Sequence, residues 1–354
     1  MNERRKKILN LLEEGHITAE EADELLEALE QNDETESKTS DQDSSFTQSF
    51  KKDLKNVTNG IANFIDETVN MVKEGPFEFS FKHASVKRSF DFNGEWIKDI
   101  ELNNKNGTVE FLMASDDQLK VEVRGKVFKE SEQERAEALY DEALNVATEE
   151  GKLLIKQERK DMTANFTIYL PKKMYENVSV KTFNGTVKMY NLACQSSQIS
   201  TVNGTITLLG YKANTLSAST RHGSIKLDDV SISKVKLKTA TGSVHYDGTV
   251  EQINIEVTTG SVRSYVRNYD AKSADLSVAT GSVQLYVPKG IGINGTAGTS
   301  VSSVKVELVD TSVEQLEEQT MKRSTQFYKV EAGKPCFDVD LSTKTGSIRV
   351  NNIS

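Results

Sequence analysis

Through residues 77–354, apolar and polar positions alternate, and the alternation pivots on a recurring glycine. The copies centre on Gly107, Gly185, Gly204, Gly223, Gly242, Gly260, Gly281 and Gly346. Counting from the glycine, position +2 is Val or Ile in every copy: Val109, Val187, Ile206, Ile225, Val244, Val262, Val283 and Ile348. Position −5 is apolar throughout, from Leu102 and Val180 to Leu276 and Leu341. Position +4 is apolar in all copies but one, where Ser264 stands. Period two on both sides of a turn predicts two short strands meeting at a corner. The β-branched and aromatic residues at these positions suit strands.

The glycine follows Asn, His or Thr and precedes Ser or Thr in each copy. It supplies a backbone conformation that a Cβ disfavours, and Asn before it tolerates the same corner. Asn-Gly alone would also fit a hairpin meander. The steps from Gly185 to Gly204, Gly223 and Gly242 are 19 residues each, and the next two are 18 and 21. A fixed period of this size marks a stacked repeat. The expected fold is therefore mainly β: a single-stranded β-solenoid of ~19-residue rungs. In it the +2 residues stack, and Thr at −3 (Thr182, Thr201, Thr220, Thr239, Thr343) forms a hydroxyl ladder along the axis. One rung buries only a few apolar side chains at about 1.5–3 kcal/mol each, so several must stack to offset the ordering entropy. The 78 residues between Gly107 and Gly185 approach four periods and predict degenerate rungs there.

Helical periodicity appears elsewhere. Residues 1–30 read as a helical hairpin, with Ile8, Leu9, Leu11 and Leu12 before Gly15 and a capping box at Thr18–Glu21 opening the second helix. That helix carries Glu20, Glu21, Asp23, Glu24, Glu27 and Glu30, which would repel phosphate and argue against a DNA-reading role. Residues 31–45 are polar, acidic and Ser-rich, a disordered linker. Residues 46–75 read as one amphipathic helix whose seam, Phe50, Leu54, Val57, Ile61, Phe64 and Met71, has heptad spacing. Three roles stay open for it: packing on the solenoid's open edge, self-association, or peripheral contact with a membrane surface. Helical insertions are expected at 130–149 and 311–326.

Composition narrows the function classes. The chain has 354 residues, a net charge of −9 and only 36% hydrophobic residues, lean enough for a thin solenoid core. Acidity without a basic stripe argues against nucleic acid. Cys194 and Cys336 are far apart and in no motif. No apolar run reaches a membrane span, and the N-terminus lacks a signal-peptide pattern. A cytoplasmic location is the expectation, with non-classical export to the surface or peripheral attachment to the inner membrane face as alternatives.

Candidate chemistry is sparse. His16, His83, His222 and His245 have no ligand partner at metal-binding sequence spacing, so no metal is expected. The Ser or Thr after each glycine has no recurring base, and no phosphate-cradling glycine loop occurs. Carbohydrate-active β-helices gather acids on one face; here the acids scatter along the chain, with Asp228 and Asp229 an adjacent pair. No cofactor and no catalytic residue is expected. Asn-Gly-Thr sequons at Asn106, Asn184 and Asn203 coincide with the turns and read as turn chemistry.

The T-x-x-G-S-[VI] turns resemble the bacterial "putative adhesin" β-solenoid domain of unknown function. The segment LLEEGHITAEEADELLEALE resembles the helical module that precedes it in YvlB/LiaX-like proteins of Gram-positive bacteria. The resemblance implies a non-enzymatic role in the cell-envelope stress response, including the response to antimicrobial peptides such as daptomycin. It also implies a solenoid that binds or senses, helices that assemble or regulate, and protein partners of that system. A cytoplasmic self-assembling scaffold is the alternative.

Overall fold

The computed structural model describes residues 83–128, 130–316, 323–333 and 335–353. The expected hairpin at 1–30, linker at 31–45 and helix at 46–75, with its seam from Phe50 to Met71, lie outside the described residues.

The chain enters on β1 (His83–Asn93), β2 (Asp99–Asn106) and β3 (Val109–Met113). It then runs through β4 (Gln118–Phe128), α1 (Gln133–Ala143), β5 (Leu144–Glu149), β6 (Lys152–Gln157) and β7 (Met162–Leu170). A regular series follows: β8 (Met174–Asn184), β9 (Val187–Tyr190), β10 (Ala193–Asn203), β11 (Ile206–Leu209), β12 (Lys212–His222), β13 (Ile225–Thr241) and β14 (Val244–Thr259). It continues as β15 (Val262–Val266), β16 (Ser273–Thr280), β17 (Val283–Val287), β18 (Gly292–Thr299) and β19 (Val304–Glu307). The chain closes with β20 (Ser312–Leu316), β21 (Arg323–Lys329), β22 (Cys336–Thr345) and β23 (Ile348–Asn352). All belong to one solenoid-like 23-stranded sheet.

Each coil has a long strand before its glycine and a short one after it. The long strands pair in parallel in the order β6, β2, β8, β10, β12, β13, β14, β16, β22, β18 and make a first face. The short strands make a second face, β7, β3, β9, β11, β13, β14, β15, β17, β23, β19. The +2 residues pair in register, Val187 with Ile206 and Ile206 with Ile225, and all are buried between the faces. Two consecutive exposed residues, Gln195 and Ser196 in β10, shift the inward phase and make a further corner.

Several expectations need correction. Residues 311–326 contain no helix among the described residues: β20 and β21 form an antiparallel hairpin on β18. Phe327 and Thr325 alternate inward there, and the Phe327 ring fills the space that a side chain at Gly295 would need. The open sheet edge thus recruits a segment whose charge pattern reads as helical. At 130–149 the helix stops at Ala143, because Leu144–Glu149 pairs antiparallel with β6. Between Gly107 and Gly185 one coil without the glycine corner, β6–β7, does follow the helical insertion, but it stacks on the other side of β2–β3, so that β2 pairs directly with β8. Cys194 is buried, Cys336 is exposed, and both are free. Among the described residues no helix is long and apolar enough to cross a membrane.

Candidate functional site

The repeat glycines stack into a column. A Cβ on Gly242 would overlap the carbonyl oxygen of Gly223, and the same holds from Gly185 on Gly107 to Gly346 on Gly281. Gly242 also sits at φ 142°, where an L side chain is strained. The −3 threonines do not form a ladder with one another. Four of their hydroxyls donate to glycine carbonyls of the preceding coil, Thr201 to Gly185 at 3.0 Å, Thr220 to Gly204 at 3.0 Å, Thr239 to Gly223 at 2.9 Å and Thr343 to Gly281 at 2.9 Å, while Thr182 donates to Gly185 of its own coil at 3.2 Å. The corner carbonyls point along the stack, so the nearest acceptor for a buried hydroxyl is the backbone. Asparagine before the glycine forms its own ladder, with Asn203 Nδ2 donating to Asn184 Oδ1 at 2.7 Å and Asn184 Nδ2 to Asn106 Oδ1 at 2.9 Å. The residues that the sequence singles out at the turns are thus consumed by the scaffold.

What the scaffold presents is its outward rows. On the first face a shallow trough runs across the strands, with one groove of about 570 Å³ over β10 to β16. Hydroxyls, amides and lysines line it, including Ser196, Gln198, Thr215, Ser217, Lys234 and Lys236. At its β16 side the groove reaches Asp275, and beyond it the trough turns acidic at Asp338 and Asp340. Burial and the neighbouring Asp340 charge raise the pKa of Asp275.

On the second face β13 and β14 bring Asp228, His245 and Asp247 together, with one ligand atom of each within 4.8 Å of the others. This corrects the sequence expectation for His245. Its partners are 17 residues before it and two after it, a spacing that only stacking makes close. A register shift between Leu227 and Val230, with Asp229 at φ 52°, accompanies the corner beside Asp228. Both carboxylates already face cations. Arg267 forks Asp247 through Nε and Nη2 at 2.6 Å each, and Lys226 Nζ lies 3.6 Å from Asp228. Burial lowers the pKa of His245 despite the two carboxylates. Tyr265 tilts against the His245 ring and stacks on Tyr286 at 4.4 Å. The cluster is a satisfied ion-pair and ring network, and a metal would have to displace Arg267.

Residues 97–353 match the family described as Toastrack DUF4097. The chain belongs to the Toastrack family. Ahead of the Toastrack region, residues 3–34 match the SHOCT-like domain. Over 360 positions, 99% of either chain, the protein is 35% identical to the uncharacterized protein YvlB of Bacillus subtilis (strain 168). Among solved structures it is similar to a "putative adhesin" from Bacteroides fragilis, at 12% identity, 76% and 97% coverage of the two chains and a TM-score of 0.44. A "putative adhesin" from Parabacteroides distasonis gives 10%, 76%, 97% and 0.41. The Toastrack trough comes from outward positions such as −6 and −8, where residue type varies from coil to coil. Only the stacking register reveals them as continuous rows.

Proposed function

We propose that this protein is a non-enzymatic binding protein and sensor of the bacterial cell-envelope stress response, in the manner of LiaX-like proteins responding to antimicrobial peptides such as daptomycin. The trough of the first face is the interaction surface, and the N-terminal segments serve assembly or regulation. The observation that carries this reading is the contrast between polar groups at the turns and in the trough. Threonine hydroxyls at the turns are part-buried on backbone carbonyls, while the trough presents a surface row of hydroxyls, amides and lysines, some bonded to one another, as Thr215 is to Ser196. The ~19-residue rung is the unit of that surface, supported by side-chain partners 19 residues apart at Asn184 and Asn203. Full-length likeness to YvlB supports helical module and solenoid acting as one protein.

Protease shaving of intact cells, with fractionation before and after a membrane-active antibiotic, tests it. Digestion with a cytoplasmic control spared supports a surface sensor. Protection with a stress-dependent move to the membrane fraction supports a sensor on the inner face. Protection with a soluble signal under both conditions sinks the sensor reading.

One observation favours the second reading, a cytoplasmic self-assembling scaffold. Val301, Val309, Val313, Tyr328 and Val330 are exposed around the C-terminal end of the stack. That reading predicts a soluble oligomer, dissociated by Ile61→Asp in the 46–75 seam; an unchanged mass in the variant counts against it.

A further inference from the structure

The groove over β10 to β16 holds two lysines that form no salt bridge among the described residues. Lys234 and Lys236 alternate outward on β13, and both are exposed. Neither is ion-paired among the described residues. The residues beside them on neighbouring strands are neutral: Thr215 and Gln252 flank Lys234, and Ser217 and Asn254 flank Lys236. The next outward lysine on the same strand, Lys238, behaves differently, meeting Glu256 at 2.8 Å. Lys272, outside the groove, meets Glu251 at 2.7 Å. Close ion pairs therefore form beside the groove and not at its two lysines, while the carboxylate that lines it, Asp275, accepts from Asn254.

A second feature is the chemistry of the neighbours. Ser217 and Gln252 line the groove beside the lysines and can both donate and accept hydrogen bonds, while Asn254 spends its Nδ2 on Asp275 at 3.1 Å. Two ammonium groups carried two residues apart on a strand stand roughly 7 Å from each other. They match a chain whose anionic groups recur at intervals, and the side chains of Ser217 and Gln252 beside them match hydroxyls between those groups. The groove is open and continues along the stack, which suits an extended polymer better than an enclosed small molecule. The acids at Asp275, Asp338 and Asp340 confine an anion to the β13 side.

We propose that this groove binds an anionic, hydroxyl-bearing polymer, a polyol- or sugar-phosphate chain, with phosphates on Lys234 and Lys236 and ligand hydroxyls on the side chains of Ser217 and Gln252 beside them. The proposal rests on the trough being the binding face and names the chemistry that the face takes.

The test is calorimetric titration of the full chain with polyglycerol phosphate, uncharged polyglycerol and inorganic polyphosphate. Polyglycerol phosphate is expected to bind best, and more weakly as salt screens the exposed charges. Lys234→Gln with Lys236→Gln is expected to weaken it roughly tenfold, as two exposed ion pairs allow. Removing two charges from the second face, by Lys188→Gln with Arg349→Gln, is expected to leave it unchanged. Equal affinity in the groove variant, with thermal unfolding intact, overturns the site. Uncharged polyglycerol binding as tightly overturns the anionic requirement while leaving the trough a binding face, and polyphosphate binding as tightly overturns the hydroxyl requirement. Absence of binding by all three overturns the proposal, whereas the sensor reading stands or falls separately on the shaving result.

Discussion

The middle of the stack and its two ends are built on different rules. From Gly185 to Gly281 each coil lies on the one before it in chain order, backbone against backbone, with glycine on glycine. At the ends that order breaks. The coil of β2 and β3 is inserted between β6–β7 and β8–β9, and the coil of β22 and β23 between β16–β17 and β18–β19. Antiparallel strands then cover the outermost coils, β4 on β7 and β21 on β18. Interior coils satisfy their backbone with their neighbours, but a terminal coil leaves an unpaired edge that would recruit other chains. The middle is therefore constrained by main-chain approach, and the ends by side chains that seal them.

The sharpest way to break this contrast is through glycine. Gly242→Ala places a Cβ on the Gly223 carbonyl oxygen, and a loss of more than about 4 kcal/mol is expected in urea unfolding. Gly333→Ala, near the C-terminal end at φ 74° with nothing within 4 Å, is expected to lose only about 1 kcal/mol. Similar losses at the two positions would mean that main-chain approach does not set the coil spacing.

At the N-terminal end the sealing side chain is Tyr140 of α1, fully buried against Gly125. Tyr140→Ala is expected to cost about 3–5 kcal/mol and to release amide protection in β1 and β4 before the middle coils. Simultaneous exchange throughout would argue against separate rules. Its hydroxyl has no hydrogen-bond partner, so Tyr140→Phe is expected to be neutral or stabilising.

A smaller effect separates coils within the middle. Thr239→Val removes the bond to Gly223 O and is expected to cost about 1 kcal/mol. The coils of Gly260 and Gly281 already carry Val257 and Val278 at that position, so a loss of several kcal/mol would show that the hydroxyl does more than cap a carbonyl.

The smallest expected effect is a pH dependence at His245. Burial lowers its folded pKa below the unfolded one, so the folded protein favours neutral imidazole. That stability is fully present above the ordinary value of 6.5 and is lost as pH falls through the folded pKa. His245→Gln should flatten the fall in melting temperature below 6.5; an identical slope in the variant would remove His245 as the cause.

Legibility in the sequence followed the same division. Wherever a residue serves its own coil, as Val244 does at +2 or Gly242 at the corner, local pattern predicts its place, because period two and the glycine turn are local physics. The segment 311–326 was misread because its sheet partner, β18, supplies the reason for its strand conformation. The close group of Asp228, His245 and Asp247 was invisible for a related reason: its members meet only across stacked strands.

By itself the sequence determined a stacked, mainly β chain, the glycine corners and the buried +2 row. These follow from alternation and repetition, which every coil restates. Only the tertiary structure decided which coil lies on which, where the stack ends, and which outward residues become neighbours. Lys234 and Lys236 look unexceptional in a chain with 44 basic residues. They become a candidate site because stacking places neutral side chains directly on both sides of them and leaves them without a salt bridge.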